Sequence, residues 1–212
     1  MARGKFITIE GGDGAGKSTQ VDRLCSRLAE HGLAVHATRE PGGSPGADQI
    51  RTLLVEGAVD RWDAITELLL HNAARRDHLV RTVIPALEAG EWVVSDRFAD
   101  STLAYQGYGH GIDLAAVAAI QDIVVETEPD LTVLLDLPAG AGAKRAGARD
   151  GAAAAEDRYE RMNAAFHERV RAGFLGIAET NPKRFVIVDA TADADAVAAA
   201  VWRAVRDGLG IG

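Results

Sequence analysis

The stretch Glu10-Gly-Gly-Asp-Gly-Ala-Gly-Lys-Ser-Thr19 constrains this chain more than any other. It fits the phosphate-loop pattern G-x-x-x-x-G-K-[ST], with Gly11, Gly16, Lys17 and Ser18 at the required spacing. The pattern works only between a strand and a helix, and both are present: Phe6-Ile-Thr-Ile9 is a short β-rich apolar run, and Ser18 to Leu28 reads as a helix. Glycines let such a loop turn backbone N–H groups onto phosphate oxygens, and the helix N-terminus adds the positive end of its dipole. The expected nucleotide-binding set is Gly11, Gly12, Asp13, Gly14, Ala15, Gly16, Lys17, Ser18 and Thr19. Lys17 is placed to reach the β/γ-phosphates and the Ser18 hydroxyl to reach Mg²⁺. A Gly-rich turn with an accidental lysine is the competing reading, and the agreement of motif, strand and helix disfavours it.

A chain of 212 residues and 22.4 kDa is long enough for one α/β domain with a full core, so a single domain over 1–212 is expected. The formal net charge of −8 argues against nucleic-acid or membrane-surface partners, which call for a basic field. An anionic ligand must then be met by local arginine clusters. The single cysteine, Cys25, has no internal disulfide partner and falls in the first helix, where a buried, small apolar role is expected. With the first strand starting at Phe6 there is little room for a leader, and no apolar run approaches membrane-spanning length. A reducing cytoplasm is the expected compartment.

Along the chain, His31-Gly32 makes a stop, and Ala34-Val-His-Ala-Thr38 reads as a second strand ending in Arg39-Glu-Pro-Gly-Gly43. That turn lies at a strand C-terminus, the edge where open α/β sheets bind ligands; a Gly/Pro connection with solvated charges is the plainer alternative. A helix around Ala47–Val55 carries Arg51. A longer one over Ala64–Ala89 carries Ile65, Leu68, Leu69, Ala73, Leu79, Val83 and Leu87 at near-helical spacing. His71 and Arg75 are four apart on one face of it, and two potentially cationic groups there ask for an acceptor. Gly90 to Arg97 gives a strand ending in Asp96-Arg97, a pair that could simply bridge to itself. Asp100-Ser-Thr-Leu-Ala-Tyr-Gln-Gly107 gathers hydroxyls, a phenol and an amide, suited to reading a base edge, although a capped helix start looks similar. Asp113–Glu126 is helical, and Leu131-Thr-Val-Leu-Leu-Asp136 reads as a central parallel strand. Ala139 to Asp157 is Ala/Gly-rich and, with the residues after it, carries Lys144, Arg145, Arg149, Arg158 and Arg161, either a mobile basic segment or a solvated basic helix. Phe185-Val-Ile-Val188 is the last strand, and a closing helix runs near Asp193–Arg206 with Asp193 as N-cap.

Five β-like runs alternating with helices predict an α/β fold, a five-stranded parallel sheet with helices on both faces. The phosphate loop, Arg39, Asp96-Arg97 and Asp136 each follow a strand, so they are expected along one sheet edge. Asp13 sharpens the reading, because a carboxylate inside a phosphate loop repels a triphosphate and is best explained by a second substrate that offers a donor, such as a sugar hydroxyl. Chance solvent exposure is the alternative. A second substrate that is a phosphate monoester accounts for Arg39 and Arg97, and being largely dianionic at neutral pH it needs no strong general base.

Phe6–Thr19, Thr38–Gly43, Asp96-Arg97, Ser101–Gly107 and Pro129–Asp136, in this order, resemble bacterial thymidylate kinase over essentially the whole chain. The resemblance implies ATP + dTMP → ADP + dTDP on the way to dTTP, a homodimer, and a phosphate-loop fold of the nucleoside-monophosphate-kinase type with a lid over about 139–160. It implies that Asp13 contacts the sugar 3′-hydroxyl, that Arg39 and Arg97 hold the dTMP phosphate with Glu40 and Pro41 beside them, and that Arg75, Thr102 and Gln106 read thymine. Arg51 and Tyr105 are further pocket members, with Tyr105 against the sugar. Ser18 and Asp96 are the Mg²⁺ candidates, directly or through water. Some relatives carry an arginine inside the phosphate loop; this chain has Gly14 and Ala15 there, so it is similar to the type that takes catalytic arginine from the lid, with Arg149 and Arg158 the candidates beside Lys17 and Arg97. One position departs from the family: His71 stands where an aromatic ring usually stacks on thymine. A kinase for another nucleoside monophosphate and a nucleotide-switch binding protein are the alternatives.

Overall fold

The computed structural model describes residues 3–142, 159 and 161–212. The expected lid arginines Arg149 and Arg158, with Lys144 and Arg145, lie outside the described residues. Strands β1 (Phe6–Glu10), β2 (Val35–Arg39), β3 (Trp92–Asp96), β4 (Leu131–Asp136) and β5 (Phe185–Asp189) form one parallel sheet in the order β2-β3-β1-β4-β5. The sequence pattern follows the order. Every residue of β1 and all but the last of β4 are buried, as suits central strands covered on both faces, whereas edge strand β2 has no fully buried residue and edge strand β5 mixes buried and exposed ones.

Helix α1 (Lys17–Glu30) starts directly on the phosphate loop and turns Val21, Leu24 and Leu28 onto the sheet, where they meet Ile7, Ile9, Val133, Leu135 and residues of the last helix, α8 (Ala194–Leu209). Cys25 packs against this cluster but is only half-buried, because it lies at the margin of the helix's apolar stripe. Asp193 caps α8 as expected, accepting from the N–H groups of Asp195 and Ala196.

Helix α2 (Pro45–Val55) is capped by Ser44 with Pro45 in its first turn. The single helix expected over Ala64–Ala89 is instead α3 (Ala64–His78), a π turn over Leu79–Val83, and α4 (Ile84–Glu88). Pro85 supplies the reason, since it has no N–H for the regular ladder and sits in the first turn of α4. The expected stripe is also split: Leu68, Leu79, Val83 and Leu87 are fully buried, while Ile65 and Leu69 are half exposed. Leu79, Val83 and Leu87 cover the second face of the sheet with Phe6, Val93 and Phe98, and the Phe6 and Phe98 rings meet edge to face at 5.0 Å.

After β3 come the short helix α5 (Ala99–Thr102), a second π turn over Leu103–Gly109, and α6 (Leu114–Val124) capped by Asp113. Helix α7 (Ala164–Thr180) packs Phe166, Val170 and Phe174 against Tyr105 of that π turn. The widened turn therefore packs on α7 and sends Tyr105 to Asp13 in the loop after β1 and Gln106 to Glu67 of α3.

Candidate active site

Parallel register brings the strand ends level. Ile9 pairs with Asp96 and Arg39 with the same Asp96, so the loops after β1, β2 and β3 open side by side onto a cavity of about 580 Å³, large enough for a nucleotide-sized ligand. Asp13, Arg39, Glu40, Pro41, Arg51, His71, Arg75, Asp96, Arg97, Thr102, Tyr105 and Gln106 all line it, with Gly14, Gly16, Lys17, Ser18 and Thr19. Gly11, Gly12 and Ala15, expected to touch the nucleotide, do not line it. Ala15 turns its methyl into the core, and the Gly12 carbonyl accepts a 2.8 Å bond from Lys17 Nζ. Gly11 has φ 139°, and a Cβ there would stand 2.5 Å from the Leu135 carbonyl oxygen.

Asp136 ends β4 at the same sheet edge but stays out of the cavity. It takes a bidentate pair from Arg171 of α7, at 2.7 and 2.9 Å.

The loop lysine is buried, and that burial, helped by Arg97, pushes its ammonium down to about 8 against the pull of Asp96, Asp13 and Glu10. Beside it the Ser18 hydroxyl donates to Asp96 Oδ2 at 2.6 Å. A hydroxyl and a carboxylate are hard oxygen donors of the kind Mg²⁺ takes together with phosphate oxygens and water. Among the described residues no group of three or more His, Cys, Asp or Glu forms a metal cage.

Asp96 and Arg97 do not bridge to each other. Arg97 sits at φ 70°, a left-handed conformation that costs a non-glycine residue about 1–3 kcal/mol. Its backbone is pinned there by its own N–H bonding Ile9 O at 3.0 Å and by Ser95 Oγ donating to its carbonyl at 2.7 Å. The turned guanidinium reaches Gly11 O at 3.0 Å and Asp13 Oδ1 at 2.5 Å, and lies 5.0 Å over the Tyr105 ring. Asp13 Oδ2 accepts from the Tyr105 hydroxyl at 2.9 Å. Burial opposes ionisation of Asp13, but Arg97, Lys17 and that hydroxyl hold its carboxyl below the usual range. Asp13 is thus no solvent-exposed accident.

Glu10, which heads the motif stretch but was given no role from sequence, ends β1 and buttresses this turn. It accepts from the Phe98 N–H at 2.7 Å and from Ser101 Oγ at 2.6 Å. Burial and the nearby Asp100 carboxylate push it up to about 8, against those hydrogen bonds and Arg97.

The far end of the cavity is built from α3 and the second π turn. Arg75 is 2% exposed; its Nε donates to Glu40 Oε2 at 2.8 Å, and its Nη2 donates to Phe98 O at 3.1 Å and Thr102 Oγ1 at 2.9 Å. Its Nη1 has no partner. Gln106 is 1% exposed and donates from Nε2 to Glu67 Oε1 at 2.7 Å, while its Oε1 has no partner. A buried unpaired donor and a buried unpaired acceptor therefore belong to two residues that line one cavity. Such atoms are costly to leave unmatched, and a ligand edge that offers the complementary pair satisfies them.

Two expected ligand contacts are already committed within the protein. Both Glu40 oxygens are taken, one by Arg75 and the other by His78 Nδ1 at 2.9 Å, whose Nε2 meets Thr38 Oγ1 at 2.7 Å. Burial opposes the Glu40 charge, but Arg75 and His78 keep its carboxyl below the usual range. His71 Nε2 bonds the hydroxyl of Tyr159 at 2.8 Å, and Tyr159 itself lines the cavity. Arg39 is largely exposed, 3.9 Å from Asp48, and Arg51 donates to Pro41 O at 2.8 Å. Glu67 and Tyr159 gave no motif signal; they are identifiable only from their three-dimensional neighbours.

The family model described as thymidylate kinase matches residues 9–201. The thymidylate kinase of Caulobacter vibrioides is 54% identical over 212 residues, covering all of both chains, and that of Gluconobacter oxydans is 52% identical over 98% of this chain and 96% of its own. A crystal structure of thymidylate kinase from Ehrlichia chaffeensis is similar at a TM-score of 0.76 and 35% identity, covering 95% of this chain and 98% of that one.

Proposed function

The chain belongs to the thymidylate kinase family, and from that premise we propose how its residues divide the transfer of the γ-phosphoryl of ATP to dTMP, giving ADP and dTDP. It is an ATP-dependent nucleoside-monophosphate kinase. The single observation that carries the choice of acceptor is the buried unpaired pair, Arg75 Nη1 and Gln106 Oε1, on one cavity wall. Thymine offers O4 as an acceptor beside N3–H as a donor, which complements that pair. Cytosine offers an amino donor beside an N3 acceptor, which opposes it at both atoms.

Arg39 and Arg97 take the dTMP phosphate, Arg97 from the guanidinium position fixed by its pinned backbone. Asp13 has lone pairs left beyond Arg97 and Tyr105, and with them accepts from the sugar 3′-hydroxyl. Tyr105 and Arg51 close the sugar side, with Pro41 at the wall and Glu40 holding Arg75 from behind. Thr102 acts through Arg75, and His71 with Tyr159 forms the wall against the base. The acceptor phosphate is already a nucleophile, so the residues supply positioning and charge neutralisation rather than a base. Lys17 meets the β/γ-phosphates, and binding a polyanion restores the charge that burial weakens. Ser18 and Asp96 hold Mg²⁺, which when bound neutralises phosphate charge. Arg149 and Arg158 complete the set from the lid.

We also propose a homodimer. Ile65, Leu69 and Val80 form an exposed apolar stripe along α3 and the turn after it, and Leu114 and Ile123 are exposed on the neighbouring α6. A second copy is the occupant that the family implies, and light scattering with Leu69→Glu, expected to give monomer, tests it. No described helix is long and apolar enough to cross a membrane; we place the chain in the cytoplasm, with its substrates.

The test of the acceptor is a panel of initial rates with Mg-ATP and dTMP, dUMP, dCMP or dGMP. The reading expects the highest kcat/KM on dTMP. A preference for any other acceptor overturns it.

A further inference from the structure

We propose that Glu67 is a positioning residue that sets base selectivity: it locks the side-chain amide of Gln106 so that Oε1, and not Nε2, faces the cavity. The proposal rests on the dTMP reading above and deepens it. A glutamine amide is nearly symmetric in shape, so by itself Gln106 can present a donor or an acceptor and read either pyrimidine edge. Glu67 removes that freedom. It lies in the first turn of α3, is 1% exposed, and its Oε1 stands 2.7 Å from Gln106 Nε2. A carboxylate only accepts, so the amide NH₂ must face it. Flipping the amide would set a carbonyl oxygen against a buried carboxylate oxygen, losing the bond and adding lone-pair repulsion in a site that water does not reach.

His110 Nε2 stands 3.2 Å from the same Glu67 oxygen. What the lock leaves without a partner is the buried Oε1 of Gln106, a residue that lines the cavity. An acceptor held there welcomes the N3–H of thymine and repels the N3 lone pair of cytosine. Arg75 makes the same choice at the adjacent exocyclic position, and its orientation is set likewise by a buried carboxylate, Glu40. Each reader thus has its own acidic backstop, and the two are independent.

The experiment measures kcat/KM on dTMP, dUMP and dCMP for the full chain, wild type and Glu67→Gln. Glutamine keeps the size but can donate as well as accept, which frees the Gln106 amide to turn. We expect the dTMP to dCMP ratio to fall at least about tenfold without inverting, because Arg75 still opposes the cytosine amino group. The dTMP to dUMP ratio should stay within about twofold, since both bases present the same imide edge. Glu67→Asp, which keeps an acceptor-only group, should retain more of the cytosine discrimination. If Glu67→Gln does not fold, Glu67→Met reads the same ratios. Rates on dTMP and dCMP that fall together, with their ratio intact in a folded variant, overturn the proposal and leave Glu67 structural. A wild-type enzyme that prefers another base overturns the dTMP reading itself, and the wild-type panel separates the two failures.

Discussion

Replacing Glu40 by glutamine removes one negative charge and almost no volume, at the point where Arg75, one of the two proposed base readers, is anchored. Glu40 and Arg75 are 4% and 2% exposed as side chains and meet at 2.8 Å, so Glu40→Gln leaves a guanidinium buried without its counter-charge. Breaking one partner of such a pair costs about 3–5 kcal/mol. An unfolding entropy of about 2.1 cal/mol/K per residue gives about 0.45 kcal/mol/K for 212 residues, so Tm should drop by roughly 7–11 °C. The sign of the pH dependence follows from the depressed Glu40 carboxyl. The contribution is present above its unfolded value of 4.5 and is lost as pH falls through its lower folded value, so the gap between variant and wild type is full at pH 7 and narrows in acid. Calorimetry at pH 7 and at several acidic pH values reads the first part. Steady-state kinetics reads the second: KM for dTMP should rise at least about tenfold while KM for ATP stays within about twofold, because Arg75 faces the base and not the phosphate loop. A variant that melts within about 2 °C of wild type, or one that weakens both substrates equally, refutes the reasoning.

Arg97→Ala should lower kcat on dTMP at least about a hundredfold while leaving ATP affinity within a few fold, as titration would show; an equal loss of ATP affinity would put Arg97 on the wrong substrate. His71→Phe should preserve or lower KM for dTMP, because the polar partner of His71 is Tyr159 and an aromatic ring can take the place of the imidazole against the base; a large rise in KM would show a direct polar contact with the base. Glu10 keeps its proton in the fold up to about pH 8, whereas the unfolded chain gives it up near 4.5, so its contribution to stability declines as pH rises between those values. Glu10→Gln, which mimics the protonated form, should flatten that decline in urea unfolding measured from pH 5 to 8, and an unchanged slope would show that Glu10 is ionised in the fold.

Much of this site is legible in the chain because its parts lie at strand ends and carry local motifs. The phosphate loop, Arg39, Asp96 and Arg97 need only the rule that parallel strands open their ligand edge at the carboxyl end, and the register of β1, β2 and β3 puts them side by side. The same rule puts Asp136 at that edge, but nothing in β4 announces that Arg171, 35 residues later, will claim both of its oxygens and keep it out of the cavity. Long-range pairing hid the rest. Glu40 reads as a turn charge until Arg75 and His78 fold against it, and Glu67 reads as a helix surface residue until the second π turn delivers Gln106 39 residues on. His71 signalled a departure in the base wall, but its compensation, Tyr159, comes from 88 residues away. The π turn at Leu79–Val83 was blurred by a helix-like apolar spacing that a widened turn interrupts by only one residue, with Pro85 the sole hint.

The central claim is that Arg75 and Gln106 read the imide edge of thymine. The most direct measurement is a crystal structure of this chain with dTMP. The expected result is Arg75 Nη1 on O4 and Gln106 Oε1 on N3–H, each at about 2.9 Å, with the Arg75–Glu40 and Gln106–Glu67 bonds intact. A bound nucleotide whose phosphate or sugar occupies that wall, with Gln106 Oε1 still unpaired, would contradict it.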